Sequence, residues 1–280
     1  MGGALWALST LFELSLTPCA PKRNQVPKGM IPESLRPLLE MVGPSFFKAV
    51  PWTALLSEGR VLLKNMASED RTREVAMRDH LRRLLPLERF EFGEQSPRAE
   101  TQRSLGPAIQ GERILELYFR QLHNPHGLFL DLRLNHWEFA DDRATFHPNH
   151  LWIQLKADFQ KSLKSLYLGY YQNRPELFDL GLQGLGLVAS SSKPDDQAEI
   201  RDIFFEHFGP GDQSEVRFSK AEFLKSFEQI FKFMVDHKLS ISGQFLHLGI
   251  YLATLYSALE HLGVPLNVRK AFLLAQETEP

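Results

Sequence analysis

Four of the ten histidines fall into two His-x-x-His pairs, His123-Asn-Pro-His126 and His147-Pro-Asn-His150. Neutral imidazole is a ligand for zinc, iron and copper, so the two pairs could supply one four-nitrogen site if the chain folded them together. Each pair contains a proline, which would stiffen the ligand geometry. The same prolines place both pairs in loops, where the spacing does not aim two rings at one point as it would on a helix. No carboxylate completes a His-Glu-x-x-His pattern, and histidines that cap turns or face solvent are the plainer account.

A second constellation is aromatic. Trp152, Tyr167, Tyr170 and Tyr171, with His247 further on, could line an apolar pocket for a small molecule. Against it stands the ordinary use of aromatics at helical spacing as core, with His247 hydrogen-bonded to a neighbour. Asp212 and Ser214 begin like a calcium loop, but Val216 and Phe218 stand where later ligands belong. No Walker sequence, Gly-x-Ser-x-Gly elbow or dinucleotide fingerprint is present, so the sequence specifies no cofactor.

The elements that must position these residues are helices. Between Lys238 and Glu260 no charge occurs, and Phe245, Leu248, Leu252, Leu255 and Leu259 recur at helical spacing. Ile250, Tyr251 and Tyr256 widen that stripe until it nearly encircles the helix, which must therefore be buried. It is long enough to span a bilayer at ~20 residues, but its polar residues and the lack of flanking Lys/Arg clusters favour a core helix. Helices are also expected over 33–42, 52–67, 71–85, 112–122, 149–172, 175–187, 199–208 and 266–276. Another is expected to start at Ser219, where Glu222 completes a capping box. Ser68-Glu69-Asp70 reads as the cap of the 71–85 helix, whose five arginines would form a solvated face.

Leu128, Leu130, Leu132 and Leu134 alternate with Phe129, Asp131 and Arg133, and Ala140-Asp-Asp-Arg143 follows as a turn. A single small β-hairpin over about 128–147 is the one β element expected. The fold class is thus mainly α, a multi-helix bundle around the buried C-terminal helix. Residues 1–32 would form an N-terminal apolar helix and a Pro-rich linker, 33–111 a helical extension with a polar loop, and 112–280 the principal helical domain.

The net charge of −2 excludes a dedicated nucleic-acid binder, which needs a strongly basic surface. Cys19, the single cysteine, excludes an internal disulfide or thiolate cluster and fits a reducing, cytoplasmic setting. The apolar stretch over 4–16 lacks a preceding basic residue and is interrupted by Glu13, so it reads as a helix packed on the body or lying on a membrane surface.

One family resemblance joins these readings. Residues 130–142 (LDLRLNHWEFADD) and the return that follows resemble a kinase-type catalytic loop with the hairpin behind it. Residues 166–187 (LYLGYYQNRPELFDLGLQGLGL) are similar in texture to the C-terminal helices of the UbiB/AarF atypical-kinase family. The resemblance implies that Asp131 matches the catalytic aspartate and Asn135 the metal-binding asparagine. The sequence departs from it in several places. Asn135 falls one residue short of the kinase spacing, Phe146-His147-Pro148 stands where Asp-Phe-Gly belongs, and no Gly-rich loop precedes. Three functions follow as expectations: a non-enzymatic interaction or scaffold protein whose partner is another protein, a metal- or small-molecule-binding helical enzyme or sensor, and a degenerate, inactive relative of the UbiB/AarF kinases.

Overall fold

Proline opens several helices of this chain, because its fixed φ suits a first turn and its missing N–H is not needed there. The computed structural model describes residues 44–68, 71–93, 105–140, 142–189, 192–208, 215–239 and 242–277. The expectations for 1–32, the helix over 33–42, the acidic cap at 69–70 and most of the polar loop lie outside them. Helix α1 runs Pro44–Ala49 and α2 Trp52–Ala67, after Pro51. Helix α3 (Thr72–Leu84) leads into strand β1 (Phe90–Phe92), and α4 is Pro107–Gln121.

The middle of the chain carries β2 (Leu128–Phe129), a tight helical turn at Leu134–His136, β3 (Trp137–Ala140), β4 (Arg143–Phe146) and β5 (Trp152–Ile153). Then come α5 (Ala157–Tyr171), α6 (Pro175–Gly184), α7 (Pro194–Phe208), β6 (Val216–Arg217), α8 (Lys220–Asp236), α9 (Phe245–Leu262), β7 (Pro265–Leu266) and α10 (Val268–Gln276). The fold is mainly α, and among the described residues no helix is long and apolar enough to cross a membrane.

Helix α9 is the expected central helix. His247, Ile250, Ala253, Thr254 and Leu259 are fully buried, so its polar residues lie inside along with its apolar ones. Gly263 closes it at φ 65°, the left-handed conformation that only glycine adopts without strain. Residues of α1, α2, α3 and β1 share one hydrophobic core with the helices of the C-terminal half.

The β structure departs from expectation in two ways. The hairpin turn falls at the expected place, but its strands are 137–140 and 143–146, and 128–134 is not its first arm. Polarity alternates along 128–134 while burial does not: Phe129 and Asp131 are as buried as Leu128, Leu130 and Leu132. The hairpin is also not the sole sheet element. Strand β1 pairs in parallel with β4, β2 pairs antiparallel with β5, and β6 with β7.

Helix boundaries shift where a better partner competes. Residues 149–156 do not extend α5, because Trp152 and Ile153 pair with Phe129 and Leu128. Helix α3 starts at Thr72 with Arg71 as its N-cap residue, whose side chain makes no cap hydrogen bond. The Ser219 cap forms as expected, its hydroxyl oxygen accepting from the Glu222 N–H at 3.4 Å.

Helices α5 and α6 approach closely through two glycines. A Cβ on Gly169 would overlap the backbone of Phe178, and one on Gly181 would overlap the backbone of Leu166. Gly169→Ala must push the two helices apart, and an overpacked core costs about 1–3 kcal/mol. The expected outcome is a lower urea midpoint at unchanged m-value, the shift being that loss divided by m, whereas Gly59→Ala on α2, with open space at its Cβ, leaves it unchanged or higher.

Candidate functional site

Chain that runs extended through a core must find partners for its backbone groups. From Phe129 to Leu132 side chains supply many of those partners, alongside the Leu130 N–H that donates to the Leu151 carbonyl at 2.9 Å. Gln121 on α4 brackets Phe129, its Oε1 accepting from the Phe129 N–H at 2.7 Å and its Nε2 donating to the carbonyl at 3.2 Å. Thr254 on α9 donates to the Leu130 carbonyl at 2.6 Å and accepts from the Leu132 N–H at 3.3 Å. These contacts deliver Asp131 to a fixed, fully buried position.

Asp131 is the centre of a polar cluster. Its Oδ1 accepts from Arg133 Nε at 2.8 Å, and its Oδ2 accepts from Arg133 Nη2 at 2.6 Å, a two-pronged ion pair. Asn149 Nδ2 donates to Oδ2 at 2.9 Å and His136 Nε2 does so at 3.1 Å. The imidazole therefore carries its proton on Nε2, and Asn149 Nδ2, 3.4 Å from that nitrogen, is a neighbour of it and not a donor to it. Burial alone would raise the Asp131 carboxyl. Hydrogen bonds from Arg133 and His136, with their charges, outweigh burial and hold it far below the ordinary carboxylate range.

Sequence reasoning found Asp131 and missed the residues around it. Asn135 is exposed and stands outside the cluster. His136, one position later, turns inward and reaches Asp131. Asn149 arrives from beyond the hairpin, its Oδ1 accepting from the Leu151 N–H at 3.0 Å, the local turn chemistry that Asn favours. That Asn-x-Leu turn is the one signal the sequence offered.

The four paired histidines do not assemble. His123 bonds Gln276 at 3.0 Å through Nε2, and His126 packs edge-on against His80 with ring centres 5.5 Å apart. His147 Nε2 lies 3.4 Å from Glu138, and His150 Nδ1 sits 3.2 Å from both oxygens of Glu74. The β2–β5 pairing holds the loops so that each ring meets its own partner, and among the described residues no three or more His, Cys, Asp or Glu side chains form a metal-holding group.

The aromatic set is brought together only in part: Tyr167 and Tyr170 each pack on Tyr171, while Trp152 and His247 meet other partners. Trp152 donates to Glu74 at 3.1 Å beneath the Arg73 guanidinium. Tyr167 shares a hydrogen bond with Tyr118, and burial pushes its phenol up to about 12. Tyr170 meets Phe178 and Phe205, while Tyr171 meets Phe119 and Phe272. The cavity beside Tyr167 is about 10 Å³, room for one water at most, so these rings fill space and do not enclose it. His247 bonds Glu58 at 2.9 Å through Nε2, and that bond, against the opposing effect of burial, lowers the Glu58 carboxyl. No family model matches this chain, and no curated protein matches it significantly.

Because Asp131 titrates lower folded than unfolded, its stabilisation is complete above its unfolded value of about 3.9 and is lost as pH falls through the folded value. Asp131→Asn removes the buried carboxylate that the Arg133 guanidinium grips at two points, and removing one partner of a buried ion pair costs about 3–5 kcal/mol at pH 7. Urea unfolding from pH 7 to pH 3 should show that difference shrinking only below about pH 4.

Proposed function

We propose that this chain is a non-catalytic partner-binding protein built on the loop-and-hairpin layout of a kinase-type fold, with the phosphotransfer machinery replaced by a structural brace. The observation that carries this reading is the occupation of Asp131, whose two carboxylate oxygens are taken by Arg133, His136 and Asn149.

In a kinase the corresponding aspartate accepts a substrate proton, while an asparagine and a second aspartate hold magnesium. Here His136 occupies the asparagine's spacing and presents an N–H, and the stretch after β4 supplies the amide of Asn149. A guanidinium, an imidazole N–H and an amide N–H are donors, and magnesium needs oxygen acceptors in open positions. This donor set does not fit magnesium or the nucleotide it would carry.

The order of elements supports the layout. Strand β2, the loop over 130–136 and the β3–β4 hairpin follow one another as the resemblance implies, and helices α5 and α6 come next. What remains for such a scaffold is the presentation of surface to another protein, in a cytoplasmic setting to which the single Cys19 is suited.

Thermal melting with magnesium–ATP tests the reading. The expected result is a melting temperature independent of nucleotide concentration, for the natural chain and for Asp131→Asn alike. A concentration-dependent rise that Asp131→Asn abolishes, or transfer of labelled phosphate to the chain or to a general protein substrate, would overturn it.

A further inference from the structure

Helix α3 and the turn that follows α4 bring two imidazoles and a thioether to one place. His80 on α3 and His126 in the turn stand with ring centres 5.5 Å apart and planes at 73°. Met77 lies one helical turn before His80, so the two share a face of α3. The Met77 sulfur packs against Gly127, the residue after His126, where an added Cβ would stand 3.1 Å from it. The thioether thus approaches from the core and the two rings from the surface.

Hydrogen bonds fix the turn against the helix. Asn124, 1% exposed, donates to the Met77 carbonyl at 3.0 Å and accepts from the His126 N–H at 3.0 Å, so one side chain ties both segments together. Gln154 Nε2 donates to the Pro125 carbonyl at 2.9 Å, and Gln160 Nε2 to the Asn124 carbonyl at 3.2 Å. Contacts of this kind hold potential ligands in position before anything binds.

The spacing of the rings suits a shared metal. Two imidazole nitrogens bound to one metal at about 2.0 Å, roughly 120° apart, place their ring centres roughly 5–6 Å apart. His126 is exposed, so rotation of its ring brings a nitrogen to bear. On His80 the available atom is Nδ1. Arg83 Nη2 lies 3.2 Å from it, and a guanidinium only donates, so Nδ1 carries its lone pair. Burial, the Arg83 guanidinium and His126 all hold His80 below the ordinary imidazole value, which keeps the ring in its neutral, ligating form at pH 7.

Softness selects among metals. No carboxylate figures among the groups that act on His80, and the three donors are uncharged. Magnesium and calcium need oxygen ligands, whereas thioether and imidazole together suit copper(I). We infer that His80 Nδ1, the His126 imidazole and the Met77 sulfur form a three-coordinate copper(I) site, with the Arg83 guanidinium competing for Nδ1. This goes beyond the partner-binding role proposed above and does not depend on it.

The test is a competition titration of the full chain against a chromophoric copper(I) chelator under ascorbate. All proteins carry Cys19→Ser, so that the thiol takes no copper. A single copper(I) is expected to bind. His126→Ala, an exposed change, should weaken binding by roughly tenfold or more, as should His80→Ala. Met77→Leu, close in volume, should weaken copper(I) binding, leave zinc(II) binding unchanged and remove the sulfur neighbour from the X-ray absorption spectrum of the copper. Arg83→Gln should tighten binding, a gain that a purely structural arginine would not give. Circular dichroism checks the folding of each variant. Failure of the parent chain to bind copper(I), indifference to His126→Ala, zinc(II) held as tightly as copper(I), or weaker binding in Arg83→Gln would overturn the inference.

Discussion

A stretch of extended backbone threads the interior between β2 and β3, and the rest of the molecule is arranged to satisfy it. An N–H or C=O left unpaired there would cost about 1–3 kcal/mol. A sheet could meet that demand only with long neighbouring strands, and β2 and β5 pair over two residues each. Gln121 and Thr254 act as substitutes, one from α4 and one from α9, so the two helices must be held in register with the same few residues. Tyr251 fixes that register. Its hydroxyl donates to the Tyr118 carbonyl at 2.9 Å, accepts from Gln121 at 3.0 Å, and its ring stacks on Tyr118.

Ionic groups are buried on the same logic of full occupancy. Glu116, 1% exposed, receives Arg89, Arg113 and Arg120, and Arg120 also donates to the carbonyls of Leu84 and Leu274. Glu74 receives Arg71, His150 and Trp152. Each carboxylate joins elements distant in sequence, and each would be unfavourable alone in a low-dielectric interior. Asp131 belongs with these two. Its geometry is that of a buried brace.

Much of the helical architecture was legible because it obeys local rules. Helix α2 lies over the expected 52–67, the α8 start follows its Ser219 cap, and α9 is the uncharged stretch expected to be buried. The β structure was less legible. Alternation of residue type over 128–134 looks like a half-buried strand only if Asp131 faces water, and a paired aspartate does not. Strand β1 contributes three residues, and its pairing with β4 is a long-range fact that no local pattern encodes. Asp131 was singled out in the sequence only through a family resemblance, and its partners were opaque, because Asn149 reaches it across a separation of 18 residues and an intervening hairpin.

The span of these contacts bears on how the chain is made. Glu58 meets His247 across 189 residues, Ser45 meets Glu228 across 183, and Arg120 meets the Leu274 carbonyl across 154. During synthesis the first half therefore leaves the ribosome before α8 to α10, and its apolar faces stay uncovered until those helices dock.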